Sequence, residues 1–105
     1  MDGFERISQD EAARIMEEEK GYVILDVRRK DEFAAGHIPG AICIPNEEIG
    51  EDDIDALPDH GQLILVYCRS GRRSVEAARK MAALGYTNVK EFGGIITWTG
   101  PLSLD

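Results

Sequence analysis

The residues best equipped for chemistry lie in one stretch, Leu63 to Ser74, which reads LILVYCRSGRRS. An apolar run, Leu63-Ile64-Leu65-Val66-Tyr67, stops at Cys68. Arg69-Ser70-Gly71-Arg72-Arg73 follow before an amphipathic helical pattern begins at Ser74. The run is too short for a helix, rich in branched residues and apolar at every position, as a strand buried on both faces reads. The pattern therefore places a thiol at the start of a tight loop between a central strand and a helix. Loop amides and the positive end of a helix dipole converge at such a point, which suits an anion. Arg72 and Arg73 near a helix N-terminus oppose that dipole, and Arg69 adds a third cation. An anion seated among the three accounts for their clustering on an acidic chain. The same surroundings bring a thiol pKa from about 8.5 down to roughly 3.5–7.5. Cys68 is expected to be a nucleophilic thiolate, reachable from solvent and held by main-chain donors and guanidinium groups.

The 105 residues suffice for a single domain, 1–105, able to bury about two-thirds of its unfolded-chain surface. Twelve basic against 20 acidic side chains leave a formal charge of −8, which argues against nucleic acid and anionic membranes as partners. It also repels anionic substrates at long range, so any attraction must be local to the loop. Two cysteines, Cys43 and Cys68, form neither a disulfide framework nor a metal-ligand spacing, and a reactive loop thiol points to a reducing compartment. No stretch approaches transmembrane length and the first residues lack a signal-peptide pattern, so the cytoplasm is the expectation.

The elements that must hold the loop follow in order. Phe4 to Ile7 alternates as a short edge strand, and Ser8 with Glu11 forms a capping-box signature that opens a helix ended by Gly21. Tyr22-Val23-Ile24-Leu25 is a second fully apolar strand, ending at Asp26-Val27-Arg28. A helix over Lys30 to Ala35 is closed by Gly36, and Ala41 to Ile44 makes a third strand. Asn46 is positioned to cap a short helix over Glu47 to Ile49, and Glu51 to Leu57 reads as another, stopped by Pro58. After the loop, Val75, Ala78, Met81, Ala82 and Leu84 line a helix that packs on a sheet. Val89 to Phe92 is the last strand, and Pro101 to Asp105 reads as a tail. Alternating strands and helices predict a parallel sheet with helices on both faces. Ligands in such folds bind beyond the carboxyl ends of strands, at a switch in strand order. Asp26, Arg28 and Cys68 all fall at such ends.

Taken in order, Leu25-Asp26-Val27-Arg28, Glu32-Phe33, Gly36-His37-Ile38-Pro39-Gly40-Ala41, Cys68 to Ser74, and Gly93-Gly94-Ile95 with Trp98 resemble a single-domain rhodanese over nearly the whole chain. The resemblance implies a five-stranded parallel sheet and a sulfurtransferase mechanism without a cofactor. Cys68 is the implied nucleophile, taking the outer sulfur of thiosulfate or another small anionic donor as a persulfide. Cyanide or a thiol then removes it in a second displacement. The loop amides of Arg69, Ser70, Gly71, Arg72 and Arg73 hold the anion, and no general base is needed because sulfite leaves as an anion. Asp26 and Arg28 are carried over as residues that brace the site, a purely structural role and a direct substrate contact both staying open, with Arg28 ion-paired near the loop, where an exposed pair contributes little. His37 belongs to a structural turn, His60 to the surface, Cys43 to an apolar strand, and Trp98 to the core.

Arg69 stands where mercaptopyruvate-using relatives usually carry Gly, which favours thiosulfate. Ser70 stands where some thiosulfate enzymes carry Lys, so the donor stays open. A related phosphatase or arsenate reductase would need five residues between Cys and Arg, and only four separate Cys68 from Arg73. Inactive binding modules of this family typically lack the Cys. A persulfide carrier that hands sulfur to a protein partner shares the chemistry, and the sequence does not separate it from a free-standing enzyme.

Overall fold

A computed structural model describes residues 3–105. Five strands, β1 (Glu5–Arg6), β2 (Tyr22–Asp26), β3 (Ile42–Cys43), β4 (Leu63–Cys68) and β5 (Val89–Gly94), pair in parallel in the order β1-β5-β4-β2-β3. The two longest apolar runs form the centre, with Tyr22 opposite Leu63 and Asp26 opposite Tyr67. From β2 the chain moves outward to β3, and from β4 it moves the other way to β5. The carboxyl ends of β2 and β4 therefore flank a switch point.

The helices are α1 (Gln9–Glu18), α2 (Lys30–Ala34) and α3 (Arg72–Ala83), with 3-10 turns at Asn46–Glu48 and Ile95–Thr97. Residue alternation along β4 splits the core in two. Ile64, Val66 and Cys68 pack toward Ala77, Ala78 and Met81 of α3, whereas Leu65 and Tyr67 pack toward Ala12 and Ile15 of α1. Helices thus cover both faces, as an all-parallel sheet requires. Trp98 is half-buried and packs from the edge onto the α1-side core beside Phe92, so it is a core residue only in part.

Several local expectations change. Ser8 caps α1 by accepting the Glu11 amide at 3.0 Å, but the Glu11 carboxylate turns to Arg14 instead of closing the box. Glu51 to Leu57 forms bends and one turn rather than a helix. Asp residues favour turns over helix interiors, and the Ile54 amide and Leu57 carbonyl are taken by the Tyr86 hydroxyl. Pro45, not Asn46, stands at the cap of the first 3-10 turn, because Asn46 bonds Glu76 and Lys80. The Pro101–Asp105 tail is tied down, since Ser103 exchanges two backbone hydrogen bonds with His37. Helix α3 begins at Arg72, two residues before the apolar pattern does.

Candidate active site

Cys68 ends β4 at a register shift, opposite Gly94 of β5, and its side chain turns toward α3. Its Sγ accepts the Gly71 N–H at 3.0 Å and lies 3.3 Å from Ser74 Oγ. Gly71 immediately precedes α3, so the donor on the sulfur belongs to the positive end of a 12-residue helix. Its φ of +102° lies where L side chains are strained, and an added Cβ would also crowd Gly93 Cα at 3.4 Å. The expected main-chain donor is in place. The expected opening is not, because Cys68 is 0% exposed: its side chain points inward, where Gly71 and Ser74 close on it.

The loop rests directly on the end of β5. The Arg69 carbonyl accepts the Ile96 N–H at 3.2 Å, and a Cβ on Gly94 would stand 2.1 Å from that carbonyl oxygen and 2.5 Å from Ser70 Cα. Only glycine allows this approach. The sequence marks Gly93-Gly94 as a motif, but its physical reason is visible only in three dimensions.

The three arginines do not converge on one point. Arg69 and Arg72 are exposed, whereas Arg73 donates to both carboxylate oxygens of Glu32, at 2.7 and 3.1 Å. This bidentate pair ties α2 to the first turn of α3. Its hydrogen bond to Arg73 is the main reason that Glu32 titrates at about 2. Glu32 in turn is the main cause that raises Arg73, with a further contribution from the Cys68 sulfur. Ser70 is exposed and Gly71 buried.

Asp26 and Arg28 form a buried unit, which corrects the expectation of an exposed pair. Asp26 is 0% and Arg28 5% exposed. Arg28 donates from Nη2 to Asp26 Oδ2 at 2.8 Å and to the Gly36 carbonyl at 2.7 Å, and its own backbone N–H returns to Asp26 at 2.9 Å. The Tyr67 hydroxyl accepts the Ile38 N–H, and burial and a hydrogen bond to Asp26 push its pKa well above the usual phenol range. The unit thus ties the end of β2 to the Gly36–Ala41 turn. His37 sits in that turn, buried and stacked on Phe33, with Nδ1 2.8 Å from the Phe33 carbonyl. Cys43 is half-buried on an edge strand, and its pKa is raised mainly by burial.

Two residues were not legible as part of the site. Ser74, read in sequence as the end of the Cys68 motif and the start of a helical pattern but given no role, contacts the sulfur. Glu91, which the sequence places in the short strand Val89 to Phe92 without a role, is 1% exposed and accepts the Ser74 hydroxyl at 2.6 Å. The only sequence signal is its even spacing from Val89, which puts both on the α3 face.

An all-parallel sheet carrying a thiol in a strand-to-helix loop at its switch point defines the class: an α/β protein with a cysteine-centred anion loop. The Rhodanese-like domain model matches residues 8–100, and the chain belongs to that family. It is 38% identical over 71 residues to the thiosulfate sulfurtransferase PspE of Escherichia coli, covering 68% of each chain. It is 34% identical over 103 residues to the thiosulfate sulfurtransferase GlpE of Pseudomonas entomophila, covering 93% of this chain and 87% of that one. A crystal structure of a rhodanese-like domain protein from Staphylococcus aureus superimposes with a TM-score of 0.83 at 28% identity, over 96% of this chain and 98% of that one.

Proposed function

We propose that the protein is a sulfurtransferase that carries a sulfane sulfur on Cys68. Ionised Sγ attacks the outer sulfur of thiosulfate, or of a related small anionic donor. A new S–S bond forms, the donor's S–S bond breaks, and sulfite leaves with the electron pair. Cyanide, a small thiol or a sulfur-accepting protein then attacks the outer sulfur and returns the Cys68 thiolate. The observation that carries this reading is the Gly71 N–H on Sγ at the start of α3, which favours negative charge there. The remaining amides from Arg69 to Arg73 hold the charge that moves to the outer sulfur. Exposed Arg69 and Arg72 supply local attraction for an anion on a chain of net charge −8.

Asp26 and Arg28 brace the β2 end and do not touch the donor, because their polar atoms already bond one another, Gly36 and Tyr67. The thiosulfate sulfurtransferase relatives support thiosulfate as donor. Both cysteines are free, which fits a reducing compartment such as the cytoplasm. Among the described residues no helix is long and apolar enough to cross a membrane.

The burial of Cys68 favours a second form of the same chemistry. Sulfur transfer requires the loop to open, and a protein acceptor that opens it would make the domain a persulfide carrier. Steady-state kinetics with thiosulfate and cyanide test the common core. Parallel double-reciprocal lines in the wild type and no turnover in Cys68→Ala are expected; intersecting lines, or turnover retained in the variant, contradict the reading.

A further inference from the structure

Glu91 is a carboxylate with almost no exposed surface, and such groups are rarely buried unless paired. Both of its oxygens accept hydrogen bonds. Arg6 Nε donates to Oε1 at 3.0 Å, while the Ser74 hydroxyl at 2.6 Å and the Gly93 N–H at 2.8 Å donate to Oε2. Among the described residues its cation is Arg6 of β1, which is 68% exposed, so solvent weakens its neutralising effect. Besides the Cys68 sulfur, the one proton of the Ser74 hydroxyl has three acceptors within reach: Glu91 at 2.6 Å, the Gly71 carbonyl at 3.1 Å and the Gly93 carbonyl at 3.4 Å. A bond to a carboxylate at that distance is the strongest of these. With its proton committed to Glu91, the hydroxyl presents a lone pair to Cys68 Sγ at 3.3 Å. It can accept from the S–H of a thiol but cannot donate to a thiolate.

We propose that Glu91 is a positioning residue which, through the Ser74 hydroxyl, disfavours negative charge on Cys68 Sγ and thereby favours the sulfur-loaded form. This deepens the reading of Cys68 as the sulfur carrier and rests on it. Two sets of groups face the sulfur. The Gly71 N–H and the Arg73 guanidinium, itself held by Glu32, favour charge on Sγ. Ser74 and the Glu91 carboxylate behind it oppose that charge. Once sulfur is loaded, the charge lies one S–S bond, about 2.05 Å, farther out, and the opposition from Glu91 falls. The empty thiolate is raised in energy relative to the persulfide.

The test is the pH titration of thiolate ultraviolet absorbance in the full chain, with the Cys68→Ala signal subtracted. It needs neither sulfur transfer nor access to the buried sulfur. Glu91→Gln is expected to lower the Cys68 midpoint by on the order of one pH unit, about tenfold more thiolate below the midpoint. Above the midpoints of both proteins, where the empty form is ionised, the ratio of loaded to empty protein at a fixed thiosulfate-to-sulfite ratio, read by intact mass, should fall by a similar factor. Arg6→Ala, at an exposed position, should raise the midpoint where Glu91 is present and leave it unchanged in Glu91→Gln. This arm decides the matter if Glu91→Gln does not fold. A midpoint that stays put or rises in Glu91→Gln, or an Arg6→Ala midpoint that does not rise, overturns the proposal whether or not sulfur is taken up. A wild type that never loads sulfur, with the midpoint shifts intact, overturns the functional reading instead.

Discussion

The strands on either side of β4 each carry a buried carboxylate, Asp26 on β2 and Glu91 on β5, and the two are solved differently. Asp26 has a cation buried with it, and Arg28 spends its donors on that carboxylate and on the Gly36 carbonyl. The unit is closed and connects nothing to the sulfur. Glu91 has an exposed cation on one oxygen and, on the other, a hydroxyl that reaches Cys68. A buried charge with a buried counterion fixes a backbone; a buried charge with a solvated counterion still acts on its neighbours. The first is architecture and the second is adjustable.

The sharpest way to break this contrast is Arg28→Ala. Removing one partner of a buried pair leaves an uncompensated charge and costs about 3–5 kcal/mol, read as a lower urea midpoint. A change no larger than that of an exposed arginine would show that the Asp26 unit is not closed. A next, smaller effect is expected at the loop seat. Gly94→Ala forces a Cβ into the Arg69 carbonyl and shifts the loop, and a displacement of about 1 Å lowers kcat/KM by about 100-fold. Gly50→Ala, where an added Cβ meets nothing within 4 Å, is the neutral control. Equal activity in the two variants would mean that the loop does not depend on its contact with β5.

The smallest effect is acid-dependent. Pairing with Arg73 depresses Glu32 from its ordinary 4.5 to about 2. Its contribution to stability is therefore complete above pH 4.5 and is lost as pH falls toward 2. Urea midpoints of the wild type should decline through that window more steeply than those of Glu32→Gln. Parallel declines would place the Arg73–Glu32 pair among contacts without energetic weight.

What could be read from the sequence was what repeats along the chain. The apolar runs at Tyr22–Leu25 and Leu63–Tyr67 announced the two central strands, and the stripe from Val75 to Leu84 announced α3. The thiol, its loop and the Gly71 position followed from local order. What could not be read was set by contacts between distant residues. Glu32 and Arg73 meet across 41 positions and Glu91 and Ser74 across 17. Even spacing from Val89 places Glu91 on the α3 face, but no local pattern pairs its carboxylate with Ser74. The spacing of Ile54 and Leu57 suits a helix, yet Tyr86 claims the backbone groups of that segment. Alternation with Ile64 and Val66 turns Cys68 toward α3, but its closure by Gly71 and Ser74 depends on how the loop folds back over the sulfur, which no local pattern encodes.

The central claim is that Cys68 carries a transferable sulfur. Intact mass after incubation with thiosulfate and removal of excess donor tests it most directly. The wild type should gain one sulfur atom, lose it on addition of cyanide, and show neither change in Cys68→Ala. An unaltered wild-type mass, or an adduct that persists in Cys68→Ala, would contradict it.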